Sequence, residues 1–229
     1  MGELVWDQTG ERLYETGTKK GVLYPQATGG IYPKGYAWNG LSAVTESPSG
    51  AEANAIYADD IKYLSLYSAE EFGATIEAYM YPDEFAECDG SAEITKGVSI
   101  GQQNRKPFGL SYQTILGNDT ENDEHGYKLH LIYGAMAAPS EKSYQSKNDS
   151  PEAITMSWEL TTTPVEVTGH KPTANITIDS TKADPKALAA IEAVLYGKNG
   201  SEARLPLPDE VVSIMEEAVK ANTVPGAAG

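Results

Sequence analysis

The sequence is poor in the residues from which active sites are usually built. One cysteine, Cys88, excludes an intrachain disulfide and fits assembly in a reducing cytoplasm. The thiol itself reads as a small buried apolar group, since a free cysteine is inert core unless something lowers its pKa. Of the three histidines, His125, His130 and His170, none is spaced with another or with Cys88 as zinc ligands are, so each reads as a surface or sheet residue. Neither Gly-x-Ser-x-Gly nor the phosphate-cradling Gly-x-x-x-x-Gly-Lys-Ser/Thr occurs; Gly29-Gly30 reads as a turn and Ser49-Gly50 as a loop tip. The acidic run Asp119, Glu121, Asp123, Glu124 fails as a calcium loop. Its sixth position is Glu124 where glycine is needed, and its twelfth is His130 where glutamate is needed. No catalytic residue, metal or cofactor is expected.

Positive charge is also scarce. Lys and Arg number 17 against 33 Asp and Glu, and a net charge of −16 repels nucleic acid and anionic membrane alike. No stretch approaches the roughly 20 apolar residues of a membrane span. Residues 1–7 lack the basic flank and apolar run of a signal peptide, so the chain is expected to be soluble and untargeted.

What is present is β periodicity. Phe72, Ala74, Ile76, Ala78 and Met80 share one face of an alternating run opposite Thr75 and Glu77, and Ile154, Met156, Trp158 and Leu160 share one face of another. Residues 108–116 and 127–138 are rich in Tyr, Ile and Leu and are separated by a polar run, as a hairpin requires. Shorter strand candidates lie at 21–24, 40–45, 56–57, 61–67, 98–101 and 174–178. This pattern predicts a mainly β chain, an antiparallel sandwich or barrel. A short helix is expected at 82–88, where Pro82 is followed by acids. A second is expected at 184–196, capped by Asp184, opened by Pro185 and stopped by Gly197. A third is possible at 209–219. Composition turns helical after about residue 180, which divides the chain into a β domain, 1–180, and a C-terminal helical appendage, 181–229, with 222–229 read as a frayed end.

Tyrosine stands out, with 14 against 3 Phe and 3 Trp. A tyrosine buries apolar area and keeps a hydroxyl for a polar partner, which suits either sheet positions or surfaces covered when subunits meet. The stretch to Trp38 carries Tyr14, Tyr24, Tyr32 and Tyr36 among glycines without strong periodicity. It reads as an arm that packs on a neighbouring copy. Residues 45–54, with Pro48 and Gly50, read as a long loop of the functional kind.

An ordered set of segments resembles the major tail protein family of long-tailed, non-contractile phages. It includes Leu13-Tyr14-Glu15-Thr16-Gly17, Ala37-Trp38-Asn39-Gly40-Leu41, Thr45-Glu46-Ser47-Pro48-Ser49-Gly50, Tyr81-Pro82-Asp83-Glu84-Phe85, Arg105-Lys106-Pro107-Phe108-Gly109, Gly126-Tyr127-Lys128-Leu129, Asn148-Asp149-Ser150-Pro151-Glu152 and Trp158-Glu159-Leu160-Thr161. The resemblance implies a tail tube fold of two packed β-sheets with a flanking helix, and rings of six subunits. It implies stacking of those rings along a tape measure protein between tail end proteins, and a lumen through which the genome passes. It also implies a place in the virion tail after assembly in the host cytoplasm, and carries no catalytic residue. The candidate inter-subunit residues are then Tyr14, Tyr24, Tyr32, Tyr36, Pro48 and Gly50, with the 45–54 loop reaching an adjacent ring. An acidic lumen would let DNA slide without specific binding, and Glu77, Asp119, Glu121 and Asp123 are its candidate residues. The competing reading is a monomeric β-sandwich that binds carbohydrate, or a glycosidase using surface aromatics and two carboxylates.

Overall fold

The computed structural model describes residues 4–146, 153–198 and 200–220; the 148–152 segment and the 222–229 end lie outside them. The strands of the first half are β1 (Tyr14–Pro25), β2 (Tyr36–Ala37), β3 (Leu41–Glu46), β4 (Ser49–Gly50), β5 (Ala53–Ala58), β6 (Ile61–Tyr67), β7 (Glu70–Glu71) and β8 (Gly73–Ala78). Those of the second are β9 (Ala92–Thr95), β10 (Val98–Ile100), β11 (Phe108–Asn118), β12 (Asn122–Ala137), β13 (Met156–Thr162) and β14 (Asn175–Asp179), followed by helices α1 (Pro185–Leu195) and α2 (Pro208–Lys220). The protein is mainly β, and all its strand pairs are antiparallel.

One large sheet has the order β2-β1-β11-β12-β13-β8-β3, with β14 added to β12 off this path. It curls until β3 comes beside β1, where the Leu41 side chain packs against Gly21. The long strand β12 makes the curl possible by changing partners. Its Lys128–Ile132 part pairs β14 and its Ala135–Ala137 part pairs β13. Gly134 sits at the change with φ +58, and a Cβ there would collide with the Thr163 backbone. Only glycine meets both conditions without strain.

The alternation in β8 and β13 is the reason they face inward. Ala74, Ile76, Ala78, Trp158 and Leu160 are buried while Glu77 and Glu159 are exposed. They enclose a first core with Leu23, Trp38, Phe108, Leu110 and Tyr112. At its centre is Phe85, delivered by a 3-10 turn over Asp83–Glu87 behind Pro82. Its ring lies 4.7 Å from Trp38, 5.1 Å from Trp158 and 5.5 Å from Phe108, in the tilted and edge-on geometries aromatic quadrupoles favour. One charge enters this core. Buried Asp89 accepts from Trp158 Nε1 at 3.0 Å and is paired with Lys142 Nζ at 2.6 Å and Arg105 Nη1 at 3.5 Å.

A second core fills the opposite face of β1, β12 and β14. Val22, Tyr24, Leu129, Leu131, Tyr133 and Ile178 pack against Leu188, Ile191 and Leu195 of α1, with Leu205 and Val211 beside them. Asp184 caps α1 by accepting from the Lys186 and Ala187 N–H groups, and Pro185 opens it. The helical segment after residue 180 therefore shares its core with the strands.

The N-terminal arm expected to pack on a neighbour needs correction. Residues 14–25 form β1, paired with β11 along its length and with β2 at Val22 and Leu23. Tyr24 and Tyr32 are buried within the chain and offer no surface to a second copy. The Tyr24 hydroxyl donates to the Leu195 carbonyl at 2.8 Å, while Tyr32 accepts from the Gly134 N–H at 2.8 Å. Two register shifts, between Thr16 and Lys19 and between Lys19 and Val22, break the alternation that would have revealed the strand.

Replacing Phe85 with Ala removes the centre of the first core and is expected to cost about 3 to 5 kcal/mol, read from denaturant midpoints. Burial pushes the Cys88 thiol up to about 12. Cys88 should therefore resist alkylation in the native protein and react at the free-thiol rate once denaturant is added.

Candidate assembly surface

Between β3 and β8 the chain leaves the body of the protein. Ser47 N–H bonds to the Gly73 carbonyl at 2.8 Å, and beyond this point residues 47–72 run out and back as a hairpin arm. Its base is the β4–β7 pair, with Ser49 opposite Glu71 and Gly50 opposite Glu70. Gly50 has φ +85, and a Cβ there would collide with the Ala69 carbonyl. Beyond the base, β5 and β6 pair as a sheet of their own. Asn54 faces Leu66, Ile56 faces Leu64 and Ala58 faces Ile61, with a bulge after Ile56. Asp59 (φ 52) and Asp60 (φ 59) make the two-residue tip, both in the left-handed region that a type I′ turn requires. From Ser47 to this tip the extended chain can reach roughly 40 Å.

The arm's composition does not match its exposure. Because side chains alternate across a strand, Ile56, Ala58, Ile61, Leu64 and Leu66 share one face, and Tyr57 and Tyr67 lie on the other. Ile61 is 65% exposed, Leu66 54%, Tyr57 69%, Tyr63 69% and Tyr67 72%. Scattered exposed apolar residues are ordinary, but a contiguous set on one projecting element marks an interaction surface.

The arm is anchored by polar groups where β3 ends. Glu46, the last residue of that strand, accepts from the Tyr112 hydroxyl at 2.6 Å and lies 3.4 Å from His130 Nδ1. The His130 imidazole stacks on Tyr112 with centroids 4.7 Å apart and planes 4° from parallel, and its Nε2 lies 2.9 Å from the Thr114 hydroxyl. Glu15 closes the far side, paired with Lys128 and accepting from Thr114. Hydrogen bonding to His130, aided by Tyr112 and opposed by burial, holds the Glu46 carboxyl below its ordinary value. Burial pushes Glu15 up, but Lys128 and Thr114 outweigh it and leave that carboxyl lowered as well. Four strands, β1, β3, β11 and β12, are thereby tied together at the root of the arm.

The residues singled out in the sequence are dispersed over this structure. Pro48 and Gly50 lie at the arm's base, where Gly50 serves close approach within the chain. Tyr14 is 43% exposed and donates to Asp123 at 2.8 Å, and Tyr36 is half-buried under Lys34. Asp119, Glu121 and Asp123 gather at the β11–β12 turn. There Asp119 accepts from the Gly10 N–H at 2.9 Å, and Glu121 lies 2.6 Å from His125 Nδ1. Glu77 stands apart on β8, separated from β12 by β13. The arm's apolar face and the Glu46–His130 anchor were not singled out. The strand candidates at 56–57 and 61–67 held the signal for the first. The anchor joins residues 84 positions apart, a pairing no local pattern encodes.

Neither a protein-family model nor a curated protein sequence matches the chain.

Because Glu46 titrates below its ordinary value in the folded protein, its stabilising contribution is complete above the ordinary carboxylate pKa of 4.5 and is lost as pH falls through the folded value. Glu46→Gln should therefore lower the denaturation midpoint at neutral pH, and the gap from the wild-type protein should close in acid. Midpoints measured between about pH 3 and pH 7 read this directly.

Proposed function

We propose that this chain is a structural subunit that polymerises with copies of itself into a tube, the role that the resemblance to phage tail tube proteins implies. The observation that carries the reading is the hairpin arm. A lone two-stranded hairpin is at best marginally stable in water, and this one presents aliphatic residues on one face and tyrosines on the other. Such an element gains its burial from a partner, and a homopolymer supplies that partner at every position. The surplus of acid suits the same role, since a conduit for a polyanion must not grip it. On this reading the rings are hexameric, a tape measure protein sets the length of the stack, and DNA passes through without specific binding. The subunit has no catalytic task.

Purified protein at high concentration should sediment as large assemblies and show rings or tubes in negative stain. Replacing Ala53 to Tyr67 with a two-glycine turn should leave a folded monomer with an unchanged thermal midpoint, because β5 and β6 form a sheet separate from the body. A full-length protein that stays monomeric, binding or cleaving glycans instead, would overturn the proposal.

A further inference from the structure

The arm precedes β8 in the chain, and a second exposed hairpin follows it. At the Glu46 and Gly73 end the chain departs into the arm. At the other end, about 17 Å along β8, the Tyr79 N–H bonds to the Gly40 carbonyl at 2.8 Å. The chain then passes through Met80 and the 3-10 turn into β9 and β10. These two strands pair only with each other. Ala92 faces Ile100, so Ile94, two residues on, shares their side; Ile94 is 63% exposed and Ile100 39%. Lys96 and Gly97 make the turn, and the Gly97 N–H donates to Glu93 at 2.6 Å.

The two hairpins are complementary. Each has one aliphatic face that its own chain leaves open. The arm ends in two carboxylates, Asp59 and Asp60, and the second hairpin ends in one ammonium, Lys96. Among the described residues, none of these three charges has an ion-pair partner within the chain.

Resting on the reading of the arm as an assembly device, we infer that the arm of one copy seats its Ile56 and Leu64 face on the β9–β10 hairpin of the next, with Asp59 and Asp60 against Lys96. The occupant of each hairpin is thus a second copy of this chain. With a different neighbour on each of its two surfaces, every copy makes a heterologous contact. Its repetition extends a stack along the strand direction and does not close a pair. Joining the two faces removes aliphatic area from water, and the charges fix which end of the hairpin meets which.

A zero-length carbodiimide cross-link on the assembled wild-type protein tests the pairing, because it joins only a carboxylate and an amine already in contact. The expected product is an intermolecular peptide linking Asp59 or Asp60 to Lys96, and a covalent dimer band that Lys96→Gln abolishes. Ile94→Glu, at an exposed position, should leave the denaturation midpoint unchanged and eliminate the fast-sedimenting species. Mixing it with the arm-shortened protein should restore one contact per pair and no longer stacks. Assemblies in which the tip cross-links to another lysine, or to a different protein, overturn this pairing while sparing the arm's role. Assembly by the arm-shortened protein, or a wild-type protein that stays monomeric, overturns both readings together.

Discussion

A sheet that is dry on both faces leaves its central strands no outlet for polar side chains, and this constraint organises the rest of the molecule. β11 has almost no exposed residue, since one of its faces lines the first core while the other lies under the helical layer. Its neighbour β12 extends the burial from Leu129 to Ala135 and must still satisfy its backbone on both edges. One edge is taken throughout by β11. The other is shared between β14 and β13, and the handover at Gly134 lets the sheet turn inward around Phe85 and Trp158. Several of the polar groups that do enter the interior are tied to fixed partners. Asp89 answers the Trp158 indole and two cations, and Tyr24 and Tyr133 direct their hydroxyls to main-chain carbonyls.

Much of this was legible in the sequence wherever one face is wet. β8 and β13 alternate because Glu77 and Glu159 look outward, and α1 announces itself through Asp184, Pro185 and the spacing of Leu188, Ile191 and Leu195. Legibility fails where that asymmetry disappears. In β1, Leu23 and Tyr24 are both buried although they point to opposite sides, and the two bulges before them interrupt the count. The tyrosine surplus could not be apportioned for the same reason. Tyr24, Tyr32, Tyr112 and Tyr133 belong to the interior, whereas Tyr57, Tyr63 and Tyr67 stand on the arm, and the residue type alone does not distinguish these settings.

The arm shows a different kind of illegibility. Its strands were visible as short candidates, but Asp59-Asp60 is not the Asn-Gly signature of a two-residue hairpin, and the preceding Pro, Ser and Gly read as a loop. The root of the arm is legible only in three dimensions. Glu15, Glu46, Tyr112 and His130 come from four strands and meet because the sheet curls β3 against β1. Local chemistry thus built the arm, while topology decided what holds it.

The bond between Tyr24 and the Leu195 carbonyl joins residues 171 positions apart. A ribosome delivers the N-terminal partner long before the C-terminal one, at about 5 to 20 residues per second. Throughout that interval the outer side of β1 and β12 has no helices to cover it, although the arm has already been synthesised. The helical layer can close over this side only after Leu195 has been made. Any contact made during that interval would meet an open, adhesive sheet. The order in which the chain is made thus leaves Val22, Tyr24, Leu129, Leu131 and Tyr133 without their helical cover until α1 has formed.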